Sequence, residues 1–228
     1  MNTVLPTHEG IRIAADAIRG GEVVAYPTET VYGLAVDPFS EKALARLFDV
    51  KCRPADNPVL LLVANEDQLR QVVAEVSEPA AACMQAFWPG PLSLLFPKAD
   101  RVPALVTAGG NKVCVRVTSC AVARDLCLAL GAALTSSSAN RAGHPPARCL
   151  AEIELSGVTV GIDGGPLEPS PPSTVFDPDS CEVVRAGAVS EAALLALLGR
   201  SASQNLCRLT PGSTMSLHHS EKHLGIGR

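Results

Sequence analysis

The chain has 228 residues and a formal net charge of −4, with 47% hydrophobic and 18% charged residues. That composition supplies a sizeable buried core and excludes a disordered chain, and its acidic balance excludes a general phosphate-neutralising nucleic-acid binder, so any basic site must be local. No apolar run approaches a membrane span, and the opening MNTVLP has neither the basic start nor the apolar stretch of a secretory signal, which predicts a cytoplasmic protein with no membrane partner. Thr7 is placed to cap a helix with Ile11, Ala14, Ala15 and Ile18 on one face and Gly20-Gly21 at its end. Residues 22–26 read as a strand stopped by Pro27, a loop follows, and Ser40 opens a second helix carrying Leu44, Leu47 and Phe48. Residues 59–64 form a continuous apolar run behind Pro58, the mark of a strand buried on both faces.

Helical stretches follow at residues 67–75 and 79–87, the second broken by Trp88-Pro89-Gly90-Pro91. Strands are predicted at Leu92–Pro97, Lys112–Val117, residues 133–136, residues 159–163, Thr174–Asp177 and residues 181–185, with helices at 122–130 and 190–198. Strands interleaved with helices predict an α/β domain over residues 1–200, its sheet mixed because some late strands are joined by short links. Residues 201–228 are polar and aperiodic, hold three of the five histidines, and read as a tail or a truncated linker. The eight cysteines are scattered without a Cys-x-x-Cys pair, so they read as reduced small hydrophobes, and no metal site is expected from them.

Three stretches carry more polar groups than a connector needs. Pro27-Thr28-Glu29-Thr30-Val31-Tyr32-Gly33-Leu34 follows directly on a strand, where α/β proteins place ligand-binding loops; local capping by Thr and Glu is the alternative. In Lys51-Cys52-Arg53-Pro54-Ala55-Asp56-Asn57-Pro58, the prolines push Arg53 and Asn57 into extended conformations. If the extended stretch includes Lys51, alternation puts it on the same side as Arg53. Two adjacent cations then need an anion such as a nucleotide triphosphate, unless both are solvated. The Gly-Lys-Ser/Thr signature of a P-loop is absent. In Thr135-Ser136-Ser137-Ser138-Ala139-Asn140, hydroxyls and an amide suit phosphate, ribose or a carboxylate, or else cap the next element. No Gly-x-Ser-x-Gly elbow surrounds these serines.

Taken in order, the chain resembles the threonylcarbamoyl-AMP synthase (YrdC-like) family. PTETVYGLA (27–35), KCRPADNP (51–58), WPGPLSLLF (88–96), VCVRV (113–117), TSSSAN (135–140), IDGG (162–165), PSTVFD (172–177) and VVRAG (183–187) fall in the family's order. The resemblance implies a twisted mixed β-sheet flanked by helices around a deep cationic cavity. It implies an enzyme, a nucleotidyltransferase that joins L-threonine, bicarbonate and ATP into L-threonylcarbamoyl-AMP, with release of pyrophosphate. A downstream complex would then transfer the product to tRNA; direct contact of this chain with tRNA is left open. By the same resemblance, Thr30, Arg116, Ser136 and Ser173 would bind threonine. Lys51, Arg53, Asn57, Ser138, Asn140 and Arg185 would hold ATP, with Lys51 and Arg53 as the catalytic pair and Mg2+ carried on the phosphates.

The chain departs from the family pattern at Leu62, where relatives often carry histidine, at Lys112, where a small hydroxyl residue is common, and at Pro146. Thr210-Pro211-Gly212 and His218-His219 loosely resemble the linker of the longer relatives. Two rivals carry the same residues: an RNA-binding module, disfavoured by acidic charge and few aromatics, and a nucleotide-binding regulatory relative without turnover. A hydrogenase-maturation carbamoyltransferase would need Cys-x-x-Cys zinc modules.

Overall fold

The computed structural model describes residues 1–54 and 56–199. The expected tail at 201–228 lies outside the described residues. In chain order the elements are β1 (Asn2–Val4), α1 (His8–Arg19), β2 (Val23–Tyr26), β3 (Gly33–Ala35), α2 (Glu41–Lys51), β4 (Leu61–Val63), α3 (Glu66–Val72), α4 (Glu78–Phe87) and β5 (Leu92–Pro97). There follow α5 (Ala104–Thr107), β6 (Lys112–Val117), α6 (Ala121–Leu130), β7 (Leu134–Thr135), β8 (Ser137–Ser138), β9 (Val158–Ile162), β10 (Thr174–Asp177), β11 (Glu182–Arg185) and α7 (Glu191–Leu197).

The helices begin where side chains can satisfy their first amide groups. The Thr7 hydroxyl accepts from Gly10 N at 3.2 Å and the Ser40 hydroxyl from Ala43 N at 3.3 Å. Helix α1 buries Ile11, Ala14, Ala15 and Ile18, the face that its sequence period predicts. The α/β class and the mixed pairing follow the sequence expectation, with the strands divided between two sheets. One runs β1-β9-β2-β3-β8 and the other β11-β10-β5-β6-β4-β7.

Alternation along the buried strands distributes side chains between two cores. Val23 and Ala25 of β2 join Leu61 and Val63 of β4 in a large cluster with α2, whereas Val24, Tyr26 and Leu62 point into a smaller one with α1 and α6. All seven are fully buried, so the apolar run at 59–64 is covered on both faces as its composition predicts. Three short strands were not expected, the first of them β1, which pairs parallel with β9 ahead of the first helix. Gly33–Ala35 falls in the stretch read as a loop, yet it pairs antiparallel with β2, Tyr26 opposite Gly33. Residues 133–136 were read as one strand, but the chain changes sheet there. Thr135 pairs with Leu61 in the six-stranded sheet, and Ser137 pairs with Leu34 in the five-stranded sheet.

Candidate substrate site

The cation pair is built differently from the extended dipeptide read in the sequence. Lys51 is the last residue of α2, and Cys52 follows it in the left-handed region at φ 49 and ψ 43. Hydrogen bonds from Cys52 N to Asp49 O (3.1 Å) and from Arg53 N to Phe48 O (3.0 Å) close this helix end. Lys51 is therefore helical, and strand alternation cannot place it beside Arg53. The turn at Cys52 brings the two charges near each other instead.

Lys51 is buried, with 2% exposure. Its ammonium donates to the Ser138 carbonyl, to Asn140 O at 2.8 Å and to Asn140 Oδ1 at 3.3 Å. Burial, with a smaller contribution from the Arg53 charge, lowers its pKa from 10.5 to about 8. Arg53 donates from Nη1 to Ser137 Oγ at 3.3 Å and from Nη2 to Pro58 O at 2.8 Å. Its Nε is buried with no hydrogen-bond partner among the described residues, and desolvation holds the guanidinium below its usual range. A buried donor without an acceptor is costly unless a ligand supplies one. The loop beneath is ordered by its own side chains: Ser138 Oγ donates to Asn140 Oδ1 at 2.6 Å, and Asn140 Nδ2 to His144 O at 2.5 Å. Asn57 is exposed, its backbone N–H 3.4 Å from Pro54 O.

A second group gathers around Arg116 on β6. Its side chain is 3% exposed, and Nη1 donates to Glu29 Oε1 at 2.6 Å. The other carboxylate oxygen, Oε2, accepts from Thr118 Oγ1 at 2.5 Å. Arg116 Nε is buried without a partner among the described residues. Arg185 lies close enough for its charge to interact with that of Arg116, and desolvation pushes its own pKa down. Arg185 donates from Nη2 to Ser173 O at 2.8 Å and to Ser173 Oγ at 2.9 Å, and Ser173 Oγ is 3.0 Å from Ser93 Oγ. The structure thus groups Arg185 with Arg116 and Ser173 rather than with Lys51.

Register joins the two groups. Leu62 of β4 stands opposite Arg116 on one side and Leu134 on the other. Ser136 N donates to Leu60 O at 2.7 Å. The Tyr26 phenol donates to Thr135 O at 3.2 Å, and burial raises its pKa. Thr30 is buried in the first loop, its Oγ1 3.2 Å from Thr28 Oγ1. That loop is held from the far side by Tyr32, which donates to Gly165 O at 2.8 Å and accepts from Gly164 N at 3.0 Å. A Cβ on Gly164 would meet Pro27 Cγ at 2.7 Å, which accounts for glycine in the IDGG stretch.

The departures also have places in the fold. Leu62 is fully buried in the apolar cluster with Tyr26 and Leu134. Lys112 donates to Asp177 Oδ2 at 2.5 Å and lies 3.8 Å from Asp179, so its charge is compensated at the ends of β6 and β10. Sequence reasoning missed Glu29 and Thr118. The one signal for Glu29 was a carboxylate between two threonines just past a buried strand; its partner Arg116 is 87 residues away.

An α/β fold that sets a buried ammonium at the end of α2, an arginine in the turn after it, two more on β6 and β11, and a run of hydroxyls at β7 and β8 has the chemistry to hold small anions. The Sua5/YciO/YrdC family model, described as "Telomere recombination", matches residues 16–187, and the chain belongs to this family. It is 41% identical over 170 residues to a threonylcarbamoyl-AMP synthase of Pyrococcus abyssi, covering 73% of this chain and 50% of that one. It is 40% identical over 167 residues to the enzyme of the same name from Halorhodospira halophila, covering 71% of this chain and 87% of that one. The chain thus spans half the length of the archaeal relative and most of the bacterial one. The fold superposes with a TM-score of 0.80 on the crystal structure of P. abyssi Sua5 complexed with L-threonine, at 35% identity, covering 87% of this chain and 60% of that one.

Proposed function

We propose that this chain is a threonylcarbamoyl-AMP synthase, a nucleotidyltransferase that makes L-threonylcarbamoyl-AMP and pyrophosphate from L-threonine, bicarbonate and ATP. One observation carries the reading beyond family membership: Arg53 and Arg116 each keep a buried guanidinium Nε without a partner among the described residues. Two anionic ligands, a triphosphate at the first and an amino-acid carboxylate at the second, would complete both.

In this reading Lys51, Arg53, Ser138 and Asn140 receive the nucleotide, with Asn57 at the rim. Arg116, Thr30, Ser136 and Ser173 receive threonine. Arg185 serves both, because it is bonded to Ser173 and is expected to reach the phosphates. The threonine amine and bicarbonate lose water to form an N-carboxy anion. A carboxylate oxygen of that anion attacks the α-phosphorus, the new O–P bond forms, and the bond to the β-phosphate oxygen breaks to release pyrophosphate. Both reactants are anions, so the protein's contribution is charge neutralisation and alignment by Lys51 and Arg53. Magnesium, held through the ATP phosphates, would supply further neutralisation when bound.

No helix among the described residues is long and apolar enough to cross a membrane, and a cytoplasmic location goes with a product destined for tRNA through a downstream transferase complex. The test is pyrophosphate release from ATP and magnesium, with L-threonine or bicarbonate omitted in turn. Release that requires both establishes the activity; release independent of either overturns it.

A further inference from the structure

Glu29 is a charged group beside Arg116 to which the substrate assignments give no work. Both of its oxygens are held: Oε1 accepts from Arg116 Nη1 at 2.6 Å and Oε2 from Thr118 Oγ1 at 2.5 Å, with the side chain 15% exposed. Thr118 is itself fully buried, and its Oγ1 accepts from Cys120 N at 3.2 Å. The carboxylate is therefore anchored to the backbone of the turn after β6.

A guanidinium offers two kinds of edge. The Nε and Nη2 hydrogens point the same way and match the two oxygens of one carboxylate. Glu29 does not use that edge. It holds Nη1 alone, and neither Nε nor Nη2 has a hydrogen-bond partner among the described residues. The local charge count agrees. Arg116 and Arg185 are near enough to interact, and Glu29 compensates one of them. One positive charge remains for a single incoming carboxylate.

We propose that Glu29 is a positioning residue for Arg116. It pins Nη1 so that the Nε/Nη2 edge is presented to the carboxylate of the amino-acid substrate, and so sets the affinity for that substrate. This rests on the reading of the pocket as a threonine site. Without Glu29, Arg116 would be free to turn and would have to be reordered each time substrate binds.

The test uses the full chain, with steady-state pyrophosphate release measured against L-threonine and ATP separately, and L-threonine binding measured by calorimetry. Glu29→Ala is expected to raise the threonine KM on the order of tenfold or more, the scale of one charge-assisted hydrogen bond, with the ATP KM changed by less than about twofold. Glu29→Gln, which can still accept from Nη1, is expected to recover most of the loss. Thr118→Val, which frees the other oxygen, should shift the threonine KM the same way by less, and stands in should Glu29→Ala fail to fold. An unchanged threonine KM in Glu29→Ala, or threonine and ATP constants rising together, overturns the positioning role while leaving the synthase reading intact. Failure of the unmodified chain to bind L-threonine overturns the reading itself, and the inference with it.

Discussion

The Lys51 ammonium lies 2.8 Å from the backbone carbonyl of Asn140, so the end of α2 is joined to the hydroxyl-rich loop by a buried charge. Ala142 N returns a hydrogen bond to Lys51 O at 3.0 Å. The loop is thereby held in place before any nucleotide arrives, and Arg53 Nε is left as the donor in need of an acceptor.

If the two cations align a pair of anions, removing either should strike the chemical step. Lys51→Ala and Arg53→Ala are each expected to lower adenylate formation by roughly a hundredfold or more. Single-turnover pyrophosphate release by the folded variants measures this, and near-normal turnover in both would remove the pair from the mechanism.

The lowered pKa of Lys51 makes opposite predictions for stability and binding. In the unfolded chain its amine titrates near 10.5, and in the fold near 8. The cost of burying the ammonium is present below pH 8. Between 8 and 10.5 the unfolded state binds more protons, so the contribution of this residue to stability rises with pH. The urea midpoint of the unmodified chain, relative to that of Lys51→Met, should therefore climb from pH 8 to 10. Affinity for ATP should fall over the same start of the range, as the free protein loses the charge. ATP affinity that stays flat from pH 7 to 9.5 would count against a phosphate contact by this amine.

The family resemblance leads to an expected histidine at Leu62, but the side chain here joins Tyr26, Ala35, Leu134 and Cys127 in one buried apolar cluster. Leu62→His would bury an imidazole among these groups at a site with no solvent exposure. A cost of about 2–4 kcal/mol is expected, from lost apolar burial and an unsatisfied ring nitrogen. Thermal unfolding checks it; a gain in stability would show that the cluster holds a polar partner for the ring.

Gly187 lies against the strand that presents Ser173. A Cβ there would meet Pro172 O at 2.3 Å and Thr174 N at 2.5 Å, both backbone atoms that cannot swing aside. Gly187→Ala should cost about 1–3 kcal/mol by overpacking. It should also displace Ser173 from Arg185, raising the threonine KM; a variant with unchanged melting and kinetics would show that the strand yields freely.

How much of this was legible depended on how local each signal is. The Thr7 and Ser40 caps and the buried face of α1 lie within one helical turn of their partners, and the sequence period located them. Strand β3 was missed because Gly33-Leu34-Ala35 is short and opens on glycine; pairing with β2 and β8 makes it a strand. Lys51 and Arg53 were recognised as a pair, but the left-handed turn at Cys52 has no glycine to announce it. Glu29 was invisible for a different reason. Its role is defined by Arg116 and Thr118, which lie 87 and 89 residues further along the chain.

The change of sheet at Ser136 has a mechanical consequence. Thr135 is laddered to Leu61 in one sheet and Ser137 to Leu34 in the other, so a single residue spans the gap. Thr135 and Ser137 are two residue steps apart, a reach of only about 7 Å at full extension. The sheets cannot slide past each other by more than that without breaking ladder bonds on one side. The two substrate groups are thus carried on one stiff frame, and their spacing is set by the main chain itself.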